Sequence, residues 1–582
     1  MSNLIRTPAE WATYIEKLRR ADHFFLDCET TGLEAWGKDK MVGIALKAPG
    51  EPAVYAAFRH IEGNLPLHLL QDLAPLFLEK LFVNHNDAFD LRFLMKEGLP
   101  LPLRLEDTMI AAAVLDGNES AALKTQGTKY INPDAANAEA ELEALLKAHG
   151  IKGKQNMWKL PPEKVAAYAC QDVDLVDALR TWQRPHLERW KLYDLYLERC
   201  AYQVILLKAE RRGFLLNRQL IQEYSDEARA HQTELSAEIT ALADHRDEAG
   251  NIIEVNPASH KQMGALLGLA STAEKILRKL GDGDRRAVAL LDFRGWAKLR
   301  GTYYEAFLAG IDSADTLRAE FKINGTVAGR LSMASPNLQA IPQYDQMYKV
   351  KDVFVARPGY TLIEADYSAL ELRLAAHFTK EPNLVEAFNR NESPHDTVAT
   401  KMGIDRHTAK TLNFSILYGA GPGRIAEQFN LDKTAAGGLL AAYWKANPLI
   451  YRWKEAVQEK ARQHGYIRLW SGHVRRYLPE QPYSKGNKPK AQPHTAPNNV
   501  IQGSGAEIIR RATMLLDPEF ARLGAHLLIQ VHDSLVVETP TDRLAETAAV
   551  MRRIMENNPE FSIPLLVDVK HGDSWGKMVK LT

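Results

Sequence analysis

Two sets of carboxylates, far apart in the chain, stand where apolar runs end. Asp27 and Glu29 close the run HFFLDCET. Residues two apart in a strand share a face, so both side chains can reach one cation. Asp90, in VNHNDAFDLRFL, and Asp172, in YACQDVD, are further candidates. Tyr168 lies one helical turn before Asp172, on the same helix face. Four converging carboxylates repel one another unless divalent cations compensate them, and hard oxygen donors favour Mg²⁺ or Mn²⁺. Two such ions can activate a water and stabilise a leaving oxygen, which is the chemistry of phosphodiester hydrolysis. His85 and Cys28, beside these acids, read as packing residues. Leu33 and Phe89 read either as core or as wedges against a terminal base.

The second set is Asp366, ending the strand-like run in LIEADYSALELRLAAHF, and Asp533, at a hairpin turn in LLIQVHDSLVVE. Two aspartates on adjacent strands can hold the two ions that in-line attack of a hydroxyl on a nucleotide α-phosphate requires. Between them, Arg406, Lys410, Phe414 and Tyr418 recur at every fourth residue and so share one helix face. Two cations suit a triphosphate and two aromatics suit a base. An amphipathic helix packing its aromatics into a core is the plainer reading, but it leaves the two cations unexplained.

These residues need a scaffold. Residues 23–28, 41–46 and 53–58 read as strands. Residues 66–79 and 86–97 read as helices with a short strand at 81–83 between them, so the N-terminal part is a compact α/β domain. The segment 118–137 reads as a loop and 163–182 as helix. From 196 to 240 long amphipathic helices are interrupted at Gly213, and helical patterns continue to about 308. The stretch 479–497 is rich in Pro, Gly and Lys and reads as a loop. The expected domains are residues 1–195 and 196–582.

Composition is that of an ordinary globular chain of 582 residues, 46% hydrophobic and 25% charged. The opening residues show no secretory h-region, and no run is long and apolar enough to span a membrane. Three cysteines, Cys28, Cys170 and Cys200, form no CxxC pair and no disulfide framework, which points to a cytoplasmic protein without structural zinc. The formal net charge is zero, from 73 basic and 73 acidic residues. Residues 1–195 carry 23 Lys+Arg against 28 Asp+Glu, leaving 50 against 45 for the remainder. Local basic surfaces matter more than the sum for phosphate binding, so composition neither identifies nor excludes a nucleic-acid enzyme.

The N-terminal motifs resemble those of DEDD-type proofreading exonucleases: DxE with TTGL (Asp27, Glu29, Thr30–Leu33), NxxFD (Asn86, Phe89, Asp90) and YxxxD (Tyr168, Asp172). The resemblance implies a ribonuclease-H-like fold, two metal ions on Asp27, Glu29, Asp90 and Asp172, and a Tyr168 that orients the attacking water. The C-terminal motifs resemble family A DNA polymerases of the bacterial polymerase I type. DYSxxELR (Asp366–Arg373) matches motif A, VHD (Val531–Asp533) matches motif C, and Arg406–Gly419 matches the nucleotide-binding helix.

By that resemblance the metal ligands are Asp366, Asp533 and the Tyr367 carbonyl, with Mg²⁺ the expected ion and Mn²⁺ a substitute. Glu371 is the steric gate against a ribose 2′-hydroxyl. Arg406, Lys410, Phe414, Tyr418 and His395 bind the nucleotide, and Phe414 at the discriminating position implies weak use of dideoxynucleotides. TVAGRLSMASPNLQAIP and NNVIQGSGAEIIRRA resemble the primer–template segments, so Arg330, Asn337, Gln339, Asn498, Gln502 and His532 are the expected DNA contacts. Arg and Gln donors can read minor-groove acceptors common to every base pair without reading sequence. Arg294, Lys298 and Arg300 suit phosphate contacts or a solvated helix face equally, and Lys485, Lys488 and Lys490 are expected to touch DNA.

The expected architecture is a right hand of thumb (about 196–310), palm (about 311–383 and 498–582) and fingers (about 384–497) behind the exonuclease. The expected protein is monomeric and takes primer–template DNA, deoxynucleoside triphosphates and, in the exonuclease site, a single-stranded 3′ end. Four features depart from the family pattern: Ser534 for Glu, His494 for Arg, Ala328 and Ala340 for polar residues, and no 5′-nuclease ahead of the exonuclease. Intact exonuclease motifs, the expected lack of a 5′-nuclease and the short chain together make the chain resemble a bacteriophage replicase, acting in viral DNA replication. The main alternative is a 3′→5′ exonuclease whose C-terminal part is only a DNA-binding platform; Asp366, Asp533, Arg406 and Lys410 argue against it. A non-catalytic scaffold would need neither metal site, and Glu371 with the fused exonuclease argues against a single-subunit RNA polymerase.

Overall fold

The computed structural model describes residues 3–243, 249, 253–342, 349–417, 419–478 and 492–581. By internal contacts the chain forms two units. One comprises Met1–Arg212, Glu320–Ala334 and Ile363–Val569; the other comprises Gly213–Ala319, Ser335–Leu362 and Lys570–Thr582. The first break between the units falls at Gly213; it does not separate the expected domains 1–195 and 196–582, because residues 320–334 and 363–569 lie in the same unit as residues 1–212. The helix Tyr193–Arg212 belongs with the first unit because Arg92, on the helix Asp87–Lys96, makes a bidentate pair with Glu210 (Nε–Oε2 2.6 Å, Nη2–Oε1 2.8 Å). Gly213 ends that helix at φ +61°, a conformation that suits glycine.

The N-terminal part is built on a six-stranded mixed sheet. Its order is Leu4–Ile5, Val54–Ala57, Met41–Lys47, His23–Thr30, Leu81–Asn84, Arg104–Asp107. His23–Thr30 runs antiparallel to Met41–Lys47 and parallel to Leu81–Asn84. It is therefore a central strand, and Phe24, Phe25 and Leu26, which point to alternate faces, are all fully buried, which explains its continuous apolar run. The helix Pro162–Arg189 packs Val165, Ala169, Val173 and Val176 into the same core. The segment expected as a loop contains two helices, Leu123–Tyr130 and the start of Asn137–Ala148. Their apolar positions are too few to give a clear period.

Elsewhere an antiparallel hairpin of His526–Val531 and Ser534–Pro540 lies beside the strand ending at Tyr367, in the order His526–Val531, Ser534–Pro540, Tyr360–Tyr367, Val567–Gly572. The 28-residue helix Ala496–Leu523 is tied to Tyr193–Arg212 by a buried ionic group. Arg199 Nη2 meets Glu507 Oε1 at 2.9 Å, and Arg510 Nη1 meets Glu507 Oε2 at 2.5 Å. Burial opposes ionisation of Glu507, but Arg510 and Arg199 outweigh it and hold the carboxyl well below its usual range.

The second unit contains the helix Arg218–Ala243, the helix Arg285–Lys298 continued as a π-helix over Leu299–Tyr304, and a small sheet of Phe354–Val355, Phe214–Leu216 and Thr316–Leu317. Arg294 is bound to Thr272 Oγ1 (2.8 Å) and Arg300 to Gln232 Oε1 (2.6 Å), so both knit this unit internally, whereas Lys298 is exposed. No helix among the described residues is long and apolar enough to cross a membrane. All three cysteines are buried and free.

Candidate active sites

The N-terminal carboxylates meet at the end of His23–Thr30. The N–H of Cys28 donates to Asp90 Oδ1 (2.7 Å) and Asn84 Nδ2 to Asp90 Oδ2 (2.7 Å), so the strand His23–Thr30 and the helix Asp87–Lys96 are joined at the site. Burial raises every one of these acids. Asp27 is pushed well above its ordinary value by burial and then by the charges of Asp90, Glu29 and Asp172. Burial and Asp172 push Glu29 up to about 8, against Lys154. Burial lifts Asp90 to about 7, against the hydrogen bonds from Cys28 and Asn84. Burial also raises Asp172, against Lys124. The charges of Asp90, Glu29 and Asp172 all act on Asp27, which puts the four acids in one locality. An all-oxygen set with surplus negative charge fits a hard divalent cation. Among the described residues, no group of three or more His, Cys, Asp or Glu side chains is placed so that it could hold a metal ion.

Tyr168 is buried in the same site, and burial with Glu29 and Asp172 raises its hydroxyl pKa. Two lysines absent from the sequence reading flank it. Lys124 Nζ lies 5.2 Å from the ring centroid and Lys154 Nζ lies 5.1 Å from it. Lys124 also donates to Asp172 Oδ1. The weak periodicity of 118–137 hid the first of these, and nothing in the spacing of the second marks it. Leu33 is 78% exposed, so the core reading fails for it. Phe89 is half-buried beside Phe93. His85 is a packing residue: burial lowers its pKa to about 4 and its Nδ1 lies 2.9 Å from Thr108 Oγ1.

At the second site the strand order brings Asp366 and Asp533 together. Asp366 is exposed at the end of Tyr360–Tyr367, and the N–H of Tyr367 donates to the carbonyl of Asp533 (3.3 Å). The turn is made by His532 at φ +54°, a left-handed conformation uncommon outside glycine, with Ser534 Oγ donating to Val531 O (3.1 Å). Ser534 thus closes the hairpin where the family pattern has Glu. Tyr367 is anchored by its hydroxyl to Met555 O (2.6 Å). Glu371 is buried and ion-paired with Arg330. Burial raises Asp533, Arg330 opposes and Glu371 adds, so these three expected residues share one locality.

The helix Arg406–Leu417 carries the expected stripe as far as Phe414; Tyr418 and the lysines 485, 488 and 490 lie outside the described residues. Lys410 and Phe414 open on a cleft of about 500 Å³, also lined by His407 and by Arg424, which sequence reasoning missed. His395 stands beside them but is not a free cation. It is buried, takes a hydrogen bond from Asn413 Nδ2 (3.0 Å), and burial with Arg406 and Lys410 lowers its pKa to about 4. Asn498 and Gln502 are half-buried and one turn apart on Ala496–Leu523, and His532 is exposed. Asn337 and Gln339 belong to the second unit, where Asn337 Oδ1 caps the turn by accepting from Gln339 N (3.1 Å).

Residues 3–185 match the family model described as 3′-5′ exonuclease, and residues 218–577 match the one described as DNA polymerase family A. Among curated proteins, DNA polymerase I of Pseudomonas aeruginosa is 28% identical over 98% of this chain and 65% of its own length. DNA polymerase I of Rhizobium leguminosarum is 30% identical over 85% of the chain and 50% of its own length. The thermostable DNA polymerase I of Thermus filiformis is 31% identical over 64% of the chain and 47% of its own length. The chain thus spans about half to two thirds of these relatives. A solved structure, described as the POL domain of Pol1 from M. smegmatis in complex with DNA primer-template and dNTP, matches with a TM-score of 0.80 and 23% identity over 98% of this chain and 99% of that one. That likeness establishes the mixed α/β fold, and the matched models establish the lineage: the chain belongs to DNA polymerase family A, with a 3′-5′ exonuclease domain at its N-terminal side.

Proposed function

We propose that the chain is a DNA-dependent DNA polymerase that extends a primer 3′-hydroxyl with deoxynucleoside triphosphates and edits with a 3′→5′ exonuclease. The observation that carries the reading is the Asp366–Asp533 pair at adjacent strand ends, with Glu371 and Arg330 beside it. When bound, divalent cations of the Mg²⁺ class at Asp366, Asp533 and the Tyr367 carbonyl, and at Asp27, Glu29, Asp90 and Asp172, supply acidity to the attacking oxygen and neutralise the leaving one.

The chain's own residues do the rest. Lys410 and Arg406 hold triphosphate oxygens as charge-assisted donors, and Phe414 covers the base. Tyr418 takes the second aromatic position. His395, whose Nδ1 is bonded to Asn413, braces the helix and adds a further phosphate contact beside Lys410. Glu371 crowds the sugar C2′, which excludes ribonucleotides. Arg330, His532, Asn498 and Gln502 face the primer–template, with Asn337 and Gln339 as further contacts. In the editing site Tyr168 orients the water, and Leu33 and Phe89 meet the terminal base of a frayed 3′ end. Fraying costs least at a mismatch, which makes removal selective.

The test is a 5′-labelled primer on a longer template in Mg²⁺, with and without the four deoxynucleotides. Extension with them and shortening without them support both activities. Asp366→Asn should abolish only extension, and Asp27→Asn only shortening. Shortening under both conditions with no extension refutes the polymerase half of the proposal.

A further inference from the structure

Lys124 is not a solvated lysine that happens to fall near the exonuclease carboxylates. Its helix, Leu123–Tyr130, is fixed against Pro162–Arg189 at three levels. Lys124 bonds Asp172. One turn on, Gly127 lies so close to Leu175 that a Cβ there would meet a Leu175 methyl at 2.7 Å. At the end of the helix the Tyr130 ring stacks on Trp182, with centroids 4.0 Å apart. The close approach that Gly127 permits is what carries the Lys124 ammonium to the carboxylates. The side chain of Lys124 is only 17% exposed, so its charge is weakly screened by water.

The neighbouring Lys154 differs. It has its own partner, Glu139 at 2.5 Å, outside the group of acids. The carboxylate partner of Lys124 is itself one of the four acids, Asp172. An ammonium bonded to a carboxylate oxygen and a divalent cation ligated by the same group cannot both be fully satisfied, because each repels the other across a few ångströms.

We infer that Lys124 is a built-in counter-cation of the exonuclease site, which contends with divalent cations for Asp172. The inference rests on the exonuclease reading proposed above. It sets the sign of the effect of removing the lysine. A lysine that supported a loaded site would weaken metal binding when removed; a competitor strengthens it. It also gives the acids a partner when divalent cations are scarce, so the folded domain does not depend on them.

The experiment uses the full chain carrying Asp366→Asn and Asp533→Asn, so that the second site does not take up the probe. Mn²⁺ is titrated and the free ion is read by electron paramagnetic resonance. Lys124→Met, which keeps an apolar stem, should bind Mn²⁺ roughly tenfold more tightly, whereas Lys124→Arg should not. In EDTA, Lys124→Met should melt at a lower temperature than the parent, and Mn²⁺ should close that gap. Lys124→Gln serves in the same way if Lys124→Met does not fold. Unchanged or weaker Mn²⁺ binding in the variant, with binding in the parent lost on Asp27→Asn, overturns the inference and leaves the exonuclease reading standing. No Mn²⁺ uptake sensitive to Asp27→Asn in any variant overturns both.

Discussion

The pair between Arg92 and Glu210 offers a sharp test of how the helix bearing Asp90 is held. Arg92 is 8% exposed and Glu210 is fully buried by side chain. Two hydrogen bonds at 2.6 and 2.8 Å join them, and Glu210 Oε1 also accepts the N–H of Phe321 at 2.7 Å. Replacing Glu210 with Ala leaves a buried guanidinium whose nearest other carboxylate is Glu320 at 3.7 Å, and an amide with no acceptor. Breaking a buried pair costs about 3–5 kcal/mol, and an orphaned buried N–H about 1–3 kcal/mol; the two overlap, so about 4 kcal/mol is the working figure. The double replacement Arg92→Met with Glu210→Met removes both charges and should cost much less, roughly 1–2 kcal/mol.

A chain of several domains need not unfold in two states, so the readout should be local. Amide hydrogen exchange at Phe321 and along Asp87–Lys96 reports opening of this contact directly. In Glu210→Ala, exchange there should accelerate by roughly a thousandfold, since each 1.36 kcal/mol is a decade. Primer shortening should slow, because Asp90 rides on the same helix. If the single variants exchange less than about tenfold faster, or if the double variant is as perturbed as either single, the pair is not what anchors the helix.

The metal-free protein should lose stability as pH rises from about 5 to 8.5. Glu29 and Asp90 bind protons in the folded state up to about 8 and 7, above their ordinary values, so the folded form holds more protons than the unfolded one across that window. A melting temperature in EDTA that is flat or rises over that range contradicts this. Glu371→Ala should admit ribonucleotides and release Arg330, raising ribonucleotide incorporation by at least roughly tenfold in a single-addition gel assay; unchanged sugar selection refutes the gate. Replacing Lys485, Lys488 and Lys490 with Ala should reduce the salt slope of duplex binding by up to about three phosphate contacts' worth. An unchanged slope in a fluorescence titration sinks that reading. Dideoxynucleotides should terminate synthesis poorly, given Phe414; termination as ready as extension disproves it.

The carboxylates were legible because strand periodicity and helical spacing are local rules: Asp27 with Glu29, and Tyr168 with Asp172, need no tertiary knowledge. The strand ends at Asp366 and Asp533 were legible for the same reason. Lys124 was not, because its position depends on a helix with little apolar period and on the Gly127–Leu175 contact, which is long-range. His395 stands beside Arg406 and Lys410, but its lowered pKa follows first from burial, and its bond to Asn413 from tertiary packing, neither of which spacing reveals. The break at Gly213 was not legible, because the helix before it is held by Arg92 and Glu210, which are 118 residues apart.

The contact between Arg330 and Glu371 carries a consequence for the order of events. The same carboxylate that would judge the sugar of an incoming nucleotide is held by an arginine expected to grip the primer. On the proposed function, DNA arriving first would draw Arg330 towards the minor groove and free Glu371 for its second task. A nucleotide arriving first would meet a sugar pocket whose proposed wall is still tethered elsewhere. Selectivity against ribose would then be conferred by the primer as much as by the protein, and an enzyme without DNA would be a poor judge of sugars.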